Sequence, residues 1–268
     1  MKNVMGFIPA GGKGMRMKPF KLIKELLPVL IQNEGQENEV NLLIENAVNV
    51  LHSGGIKNVV CTINFDKEIL MKILSDIGGP SSDMKFSFVM QKHLDTEYGL
   101  PLGIAAAEPF IRGHTIFMKF PDTIVYPLNC FEELYEFHCE KKSDLTLGVF
   151  PTDNSKNLGP VMIDKNHKII RLEDKPDNPS ENNTWNVLIW EDSFLDLLMR
   201  EVELYRKSHT VKNHELKIYD IMVKAIEENL NVNAYFFEAG KCIDISCVQD
   251  ATLLWNQYGS KTGHNIVM

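Results

Sequence analysis

An apolar run that breaks into glycines near the start of the chain is the feature that most constrains its fold. Residues 4–9 read VMGFIP, and Gly11, Gly12 and Gly14 follow. Such a run is typical of a buried strand. Glycines leave the backbone N–H groups of the next turn open to a phosphate chain. The sequence therefore predicts a nucleotide site at the end of the first strand, with an ordinary loop of solvated basic residues as the alternative.

Two common phosphate-binding motifs do not fit this turn. The dinucleotide fingerprint needs a third glycine where this chain has Met17. The P-loop needs Lys and then Ser or Thr after its second glycine, where this chain has Met15 and Arg16. What remains is a glycine turn with cations nearby in sequence, at Lys13, Arg16 and Lys24. Three cations beside one turn suit a triphosphate or a departing pyrophosphate.

Composition limits the class of protein and its partners. The 268 residues are 44% hydrophobic, which is enough to bury a substantial core. With 36 acidic and 28 basic residues the net charge is −8, so we expect no nucleic-acid partner. Five cysteines without a CxxC pair favour a reduced, cytoplasmic location. The sequence shows neither a signal-peptide pattern nor an apolar run long enough for a membrane span, so we expect no membrane partner.

Strand and helix patterns alternate through the first half of the chain. This alternation predicts an α/β fold with a mostly parallel sheet covered by helices on both faces. After about residue 144 the apolar runs are extended and separated by turns rather than by long helices. That change predicts an inserted, partly antiparallel lobe over the carboxyl ends of the parallel strands, where ligands of open α/β sheets bind.

Two aspartates stand where a metal site could form. Asp122 follows the apolar run HTIFMKF directly, and Asp244 lies between Ile243 and Ile245 in a predicted strand. A carboxylate among apolar neighbours is unfavourable unless something binds it. Two aspartates from distant strands match the sparse carboxylate ligation that Mg²⁺ accepts when phosphates complete its shell. For either residue alone, a helix cap or turn role stays open.

Several of these segments together resemble the sugar-phosphate nucleotidyltransferase family. AGGKGMRMKP followed by KELLPVL resembles the family signature of an AGG turn, GTR, PK and LLP. YGLPLGIAAA is similar to the PxGxAxA segment at the nucleobase, and FPDT to the LPDD or LGDN metal motif. LGPVMID is similar to the YGVVxxD strand, LEDKP to EKP, and KCIDISCVQD to the segment with the second metal ligand. The resemblance covers nearly the whole chain.

The resemblance implies a fold, a reaction and partners. The fold would be the Rossmann-like nucleotide-diphospho-sugar transferase fold, as one domain over residues 1–268. Its nucleotide-binding part would span about 1–143 and its acceptor-binding part about 144–247, with a C-terminal helix at 248–259. The reaction would transfer a nucleoside monophosphate from an NTP to a phosphomonoester, expected to be a sugar 1-phosphate, releasing pyrophosphate and forming an NDP-sugar. Mg²⁺ would be the cofactor, and a homo-oligomer stays open.

The resemblance also assigns roles to individual residues. The catalytic residues would be Arg16, Lys24 and Lys175. The nucleotide and its metal would be held by Ala10, Gly11, Gly12, Lys13, Gly14, Gln91, Pro101, Gly103 and Asp122. The acceptor would be bound by Gly159, Glu173, Asp174, Lys175 and Asn186. The metal ligands would be Asp122 and Asp244.

The chain departs from the usual family motifs at five positions, mostly on the acceptor side: Met15, Ile23, Asp174, Asn186 and Ser246. These departures leave the acceptor open. One alternative is a cytidylyltransferase-type enzyme acting on a phospho-alcohol, such as a choline-like compound, or on a phosphonate. Another is a non-catalytic protein that binds a nucleotide sugar.

Overall fold

A computed structural model describes residues 3–12, 23–31, 39–80, 82–91, 97–208 and 214–262. Its strands are β1 (Val4–Pro9), β2 (Pro28–Ile31), β3 (Glu39–Leu42), β4 (Asn58–Ile63), β5 (Lys85–Met90), β6 (Thr115–Lys119), β7 (Thr123–Tyr126), β8 (Leu145–Pro151), β9 (Val161–Ile163), β10 (Ile169–Leu172), β11 (Asn183–Trp190), β12 (Val232–Phe236) and β13 (Lys241–Asp244). Its helices are α1 (Leu43–Ser53), α2 (Glu68–Ile77), α3 (Leu100–Ile111), α4 (Cys130–Lys141), α5 (Asp192–Lys207), α6 (Ile218–Glu227) and α7 (Val248–Thr262).

Seven strands form the central sheet, in the order β12-β8-β11-β6-β1-β4-β5. Strand β11 runs antiparallel to both of its neighbours, whereas the other pairs in this sheet are parallel. The α/β prediction with a mostly parallel sheet is therefore confirmed. The carboxyl ends of β1, β4, β5 and β6 meet at one edge, and the start of β11 joins them there.

Helices cover both faces of the sheet, because side chains on successive strand residues point to opposite faces. In β1, Phe7 belongs to the cluster that contains residues of α3, α5 and α6. Ile8 belongs to the opposite cluster, which contains residues of α1, α2 and α4. Both residues are fully buried, which explains why this strand reads as a continuous apolar run.

The segment after residue 144 differs in detail from the pattern-based expectation. Strands β8 and β11 extend the central sheet, and the hairpin β9–β10 lies in the connection between them. Helix α5 is present where the sequence interpretation placed no long helix. Its buried residues have helical spacing that could have identified it, at Phe194, Leu195, Leu197, Leu198 and Val202.

Two smaller sheets complete the architecture and bring distant segments together. Strand β7 pairs with β13, and β2 pairs with β3. Strand β3 runs directly into helix α1, which begins at Leu43. Among the described residues, none of the helices has both the length and the apolar character needed to cross a bilayer.

Asn183 anchors the β9–β10 hairpin to the central sheet. Its Oδ1 accepts a hydrogen bond from the Val161 N–H at 2.8 Å, and its Nδ2 donates to the Val161 carbonyl at 2.9 Å. We predict that Asn183→Ala lowers the free energy of unfolding by about 2–4 kcal/mol, because two buried backbone groups lose their partner. Urea denaturation measures this change.

The neighbouring Asn182 supplies a matched control. It is exposed, and its backbone carbonyl accepts from the Thr152 N–H at 3.1 Å, a bond that Asn182→Ala retains. This variant should keep the free energy of unfolding within about 0.5 kcal/mol of wild type. Equal stability of the two variants would contradict the anchoring role of Asn183.

Candidate active site

Two adjoining cavities open at the carboxyl edge of the sheet. The first, of about 390 Å³, lies at the ends of β1, β4, β5 and β6. The second, of about 260 Å³, lies between the end of β6, the start of β11, the β9–β10 hairpin and β13. Four residues border both cavities: Leu100, Phe120, Asp122 and Glu215. Two ligands bound side by side would therefore meet at Asp122.

Gly11, Gln91 and Gly103 form one wall of the first cavity. A Cβ at Gly11 would lie 2.2 Å from Gln91 Oε1, and a Cβ at Gly103 would lie 3.0 Å from the same atom. Both glycines are therefore needed for the close approach of the Gln91 amide. Thr62 Oγ1 is buried beside this wall and has no hydrogen-bond partner in the described part of the chain.

The glycine turn after β1 is held by two side chains that the sequence analysis did not identify. Asn64 Nδ2 donates to the carbonyl oxygens of Gly11 and Gly12 at 3.1 and 3.3 Å. Lys67 Nζ donates to the Ala10 carbonyl at 2.9 Å. Both residues follow β4 in the segment INFDK. Because the carboxyl ends of β1 and β4 lie at the same edge of the sheet, their position in sequence could have indicated that they contact the glycine turn.

A buried ion pair links this turn to the segment that carries Lys24. Lys67 Nζ lies 2.5 Å from Glu25 Oε1, and the two side chains are only 6% and 2% exposed. Glu25 follows Lys24 in the short 3-10 turn Lys24–Leu26. An ion pair excluded from water resists screening, so Glu25 and Lys67 fix where Lys24 enters the site.

Backbone pairing brings Asp122 and Asp244 together. Thr123, the first residue of β7, lies opposite Asp244 in the ladder with β13. The Ile245 N–H donates to the Asp122 carbonyl at 3.1 Å. Lys24 Nζ forms an ion pair with the Asp122 carboxylate. Two predicted metal ligands and one predicted phosphate-binding lysine thus occupy one place at the boundary between the cavities.

The two carboxylates differ in their protonation. Burial, together with the negative charge of Asp122, raises the pKa of Asp244 to about 6. Burial alone would also raise the pKa of Asp122, but the Lys24 ammonium outweighs it and holds this pKa below its usual value. Burial opposes the charged form of Lys24 as well, yet the Asp122 carboxylate raises the Lys24 pKa above its usual value. In the part of the chain that the structure describes, Lys24 therefore pairs with Asp122, whereas Asp244 stays buried beside a like charge.

All five predicted acceptor residues border the second cavity. Gly159 lies against Trp185, because a Cβ there would be 2.3 Å from the indole Nε1. Lys175 borders this cavity and is exposed, with a backbone φ of 49°. Asn186 also borders the cavity, and its Oδ1 accepts a hydrogen bond from Thr123 Oγ1 at 3.0 Å. The wall therefore offers a cation and an amide to a ligand.

The two acidic residues before Lys175 are already engaged. Glu173 is 5% exposed, and its Oε2 accepts from the N–H and the hydroxyl of Ser180 at 2.9 and 3.0 Å. Asp174 forms an ion pair of 2.7 Å with Lys217, a second cation on this wall that the sequence analysis missed. Lys217 precedes helix α6 and lies far from LEDKP in sequence, so no local pattern pointed to it.

Five of the predicted nucleotide-side residues are not placed on a cavity wall. Ala10 is fully buried behind the glycine turn, and Pro101 is buried in the first turn of α3. Lys13, Gly14 and Arg16 lie outside the described residues. A cation that the sequence analysis overlooked, Lys119, is fully buried just before the turn that carries Asp122.

Comparison with known proteins identifies the family of the chain. The nucleotidyl transferase family profile matches residues 5–261. The chain is 24% identical over 270 residues to the bifunctional protein GlmU of Methanococcus aeolicus, covering 97% of this chain and 58% of that protein. It is also 24% identical to a glucose-1-phosphate thymidylyltransferase of Neisseria meningitidis, covering 83% of this chain and 71% of that protein.

A solved structure shows the same fold at low sequence identity. A Bacillus anthracis protein described as a glucose-1-phosphate thymidylyltransferase, in complex with sucrose, superposes with a TM-score of 0.74 at 19% identity. The match covers 99% of this chain and 97% of the other. The family match spans nearly the whole chain, including both cavities and the aspartates between them, so the chain belongs to the nucleotidyl transferase family.

Proposed function

We propose that the protein transfers a nucleoside monophosphate from an NTP to a sugar 1-phosphate, giving an NDP-sugar and pyrophosphate. The observation that carries this proposal is the position of Asp122 on the wall shared by two cavities. One cavity has a glycine turn and an amide wall, and the other has a lysine and polar groups. The chain's relatives with thymidylyltransferase names support the same reaction type.

In this reaction an oxygen of the acceptor phosphate attacks the α-phosphorus of the NTP. A new P–O bond forms there, and the bond between the α-phosphorus and the bridging oxygen to the β-phosphorus breaks, so pyrophosphate leaves. The attacking oxygen is already anionic at neutral pH and needs no strong base. The protein's contribution is to align two anions and offset the repulsion between them.

The first cavity would hold the NTP. Gly12 leaves open space for the ligand beside its backbone, whereas Gly11 and Gly103 make room for Gln91, which would border the base. Lys24 would move from Asp122 to the phosphates when the nucleotide enters, because phosphate oxygens carry more negative charge than one carboxylate. Arg16 is proposed to act on the α-phosphate and the departing pyrophosphate.

The second cavity would hold the acceptor. Lys175 would bind the acceptor phosphate, while Asn186, Asp174 and Glu173 would face its hydroxyl groups. On this assignment residues 1–143 contribute most of the nucleotide site and residues 144–247 most of the acceptor site. All five cysteines lie in the described residues and are free, which supports the proposed cytoplasmic location.

The aspartate pair fits Mg²⁺. Asp244 is half-buried beside a second carboxylate, and burial together with the Asp122 charge raises its pKa, a penalty that a bound divalent cation would relieve. No group of three or more His, Cys, Asp or Glu side chains suited to a metal occurs in the described ranges. Asp122 and Asp244 would therefore hold Mg²⁺ together with substrate phosphates, as this hard cation prefers. Bound there, the ion would neutralise phosphate charge.

A pyrophosphate-release screen tests the proposed reaction. Each common NTP is combined with glucose, mannose and N-acetylglucosamine 1-phosphates, with phosphocholine and with a phosphonate, all in the presence of Mg²⁺. We expect turnover with at least one sugar 1-phosphate. Asp122→Asn should reduce kcat/KM about 100-fold or more, because it removes a charged metal ligand without changing side-chain size.

Other results of the screen favour other functions. Turnover confined to phosphocholine would show that the acceptor is a phospho-alcohol rather than a sugar 1-phosphate. Turnover confined to the phosphonate would show that the acceptor is a phosphonate. Tight binding of a nucleotide sugar without turnover would favour a non-catalytic binding protein. Wild-type rates in the Asp122→Asn protein would remove Asp122 from the metal site.

Asp244→Asn should stabilise the metal-free protein. The folded state holds the Asp244 proton up to a pH of about 6, whereas the unfolded chain releases it near 3.8. The folded state therefore binds more protons between these pH values, and this group lowers the free energy of unfolding as the pH rises from 4 to 6. At pH 7 the variant should be more stable by about 1–3 kcal/mol, and the difference should vanish near pH 4.

Urea denaturation at pH 7 and pH 4, with and without Mg²⁺ alone, measures this effect. Mg²⁺ should stabilise the wild type and not the variant, since only the wild type has both carboxylates. Asp177→Asn, at an exposed position away from the cavities, is the matched control and should change stability by less than about 0.5 kcal/mol. A variant less stable than wild type at pH 7 would show that Asp244 is not under electrostatic strain.

Lys175→Met should act mainly on the acceptor. We expect the acceptor KM to rise about 10-fold or more while the NTP KM stays within about 2-fold, because a lost charged hydrogen bond is worth about 1.5–3 kcal/mol. Steady-state kinetics with each substrate varied in turn measure both constants. Lys156→Met, at another exposed lysine, is the control. Equal increases in both KM values would argue against an acceptor-side role for Lys175.

A further inference from the structure

We infer that Lys119 is a positioning residue that fixes the turn carrying Asp122 and links this turn, through Thr123 and Asn186, to the acceptor cavity. The inference rests on the proposed function for its catalytic consequence. Its structural part stands on the contacts of Lys119 alone.

Lys119 is the last residue of β6 and is fully buried. Its Nζ donates to the Phe120 carbonyl at 2.9 Å, to the Thr123 carbonyl at 2.8 Å and to Thr123 Oγ1 at 2.7 Å. An ammonium group has three N–H donors, so these bonds satisfy all of them. Both acceptor residues belong to the four-residue segment 120–123, whose third member is Asp122. The side chain thus braces this turn from within.

The position is unusual for a residue with only a packing role. Burying a charge is unfavourable by several kcal/mol unless the charge is fully hydrogen-bonded and compensated. Burial lowers the pKa of Lys119 to about 8, so the ammonium persists at neutral pH, and the charges of Asp122 and Asp244 favour it. An apolar residue would fill the same space without this penalty, but it could not hold the two carbonyl groups and the hydroxyl of the turn.

Thr123 carries the constraint onward to the second cavity. Its Oγ1 accepts from Lys119 and donates to Asn186 Oδ1 at 3.0 Å. Asn186 is 4% exposed and borders the second cavity. Because its Oδ1 is fixed by Thr123, the orientation of the Asn186 amide is also fixed. Lys119 therefore sets the position of one group at the boundary between the cavities and of one group on the acceptor wall.

Lys119→Met tests this inference, because methionine keeps the chain length of lysine without its three donors. We expect kcat to fall about 10-fold or more and the acceptor KM to rise about 5-fold, with the NTP KM within about 2-fold of wild type. Hydrogen exchange at the Ile245 N–H, which donates to the Asp122 carbonyl, should be about 10-fold faster or more.

Thr146→Val is the matched stability control. Thr146 is fully buried, and its Oγ1 bonds to His138 Nδ1 at 2.8 Å, on neither cavity wall. The variant loses a buried hydrogen bond but should keep both KM values and the Ile245 exchange rate. If Lys119→Met changes kinetics and exchange no more than Thr146→Val does, the inference is overturned.

Thr123→Val isolates the link to Asn186, because it retains both bonds from Lys119 to backbone carbonyls. We expect a higher acceptor KM with a smaller loss of kcat than in Lys119→Met. In the double variant, kcat/KM should stay within about 2-fold of Lys119→Met, because both residues act in one chain of contacts. If the loss of kcat/KM in the double variant equals the product of the two single losses, Lys119 and Thr123 act independently and the coupling is overturned. If Lys119→Met fails to fold, the acceptor KM of Thr123→Val tests the inference: a raised value supports it, and a wild-type value overturns it.

Hydrogen exchange at the Ile245 N–H separates this inference from the proposed function, because it needs no turnover. A wild-type protein that releases no pyrophosphate in the full screen would refute the function, whereas exchange at Ile245 would still report on the turn. Faster exchange in Lys119→Met would then support the positioning role, and wild-type exchange would refute it.

Discussion

The enforced proximity of two carboxylates is the constraint on which the site depends. The hydrogen-bonded pairing of β7 with β13 sets Thr123 opposite Asp244. The electrostatic penalty of placing Asp122 and Asp244 together is therefore offset by backbone bonds and by apolar packing below them. Among the described residues, Lys24 pairs with Asp122, and the buried Lys119 ammonium also interacts favourably with it. Two adjacent carboxylates attract a cation to this place. Positive charge held in a fixed position is what stabilises the phosphate charge in a transfer of this kind.

Two other buried lysines support the site without lining it. Lys67 bonds to the carbonyl of Ala10 and pairs with Glu25, so it holds the glycine turn and the segment of Lys24 in one arrangement. Lys119 does the same for the turn that carries Asp122. In both places a buried ammonium donates to the backbone at the sheet edge, to one carbonyl from Lys67 and to two from Lys119. This leaves the turn rigid at the sheet edge, where a displacement of about 1 Å would impair alignment of the reacting groups.

The position of the glycine turn and of Asp122 at one edge of the sheet could be predicted from sequence because the signals are local. The glycine turn directly follows β1, Asp122 follows β6 closely, and the α/β alternation places both strand ends at one edge. The supporting lysines could not be predicted in this way. Lys119 reads as an ordinary lysine after an apolar strand, and its burial depends on the turn that folds back over it. Helix α5 is a different case, since its apolar spacing was visible in the sequence.

The acceptor side is built from segments that are far apart in sequence, which explains why the sequence left the acceptor open. Its wall combines residues of the β9–β10 hairpin, the start of β11 and the segment before α6, so no single motif describes it. Asp174 and Lys217 meet only in the fold, and each changes what the other offers to a ligand. An acidic residue read alone suggests a partner for hydroxyl groups. Paired with Lys217 at 2.7 Å, its negative charge is largely balanced. What Asp174 offers to a ligand therefore depends on Lys217, which lies 43 positions further along the chain, so the motif around Asp174 does not define this wall by itself.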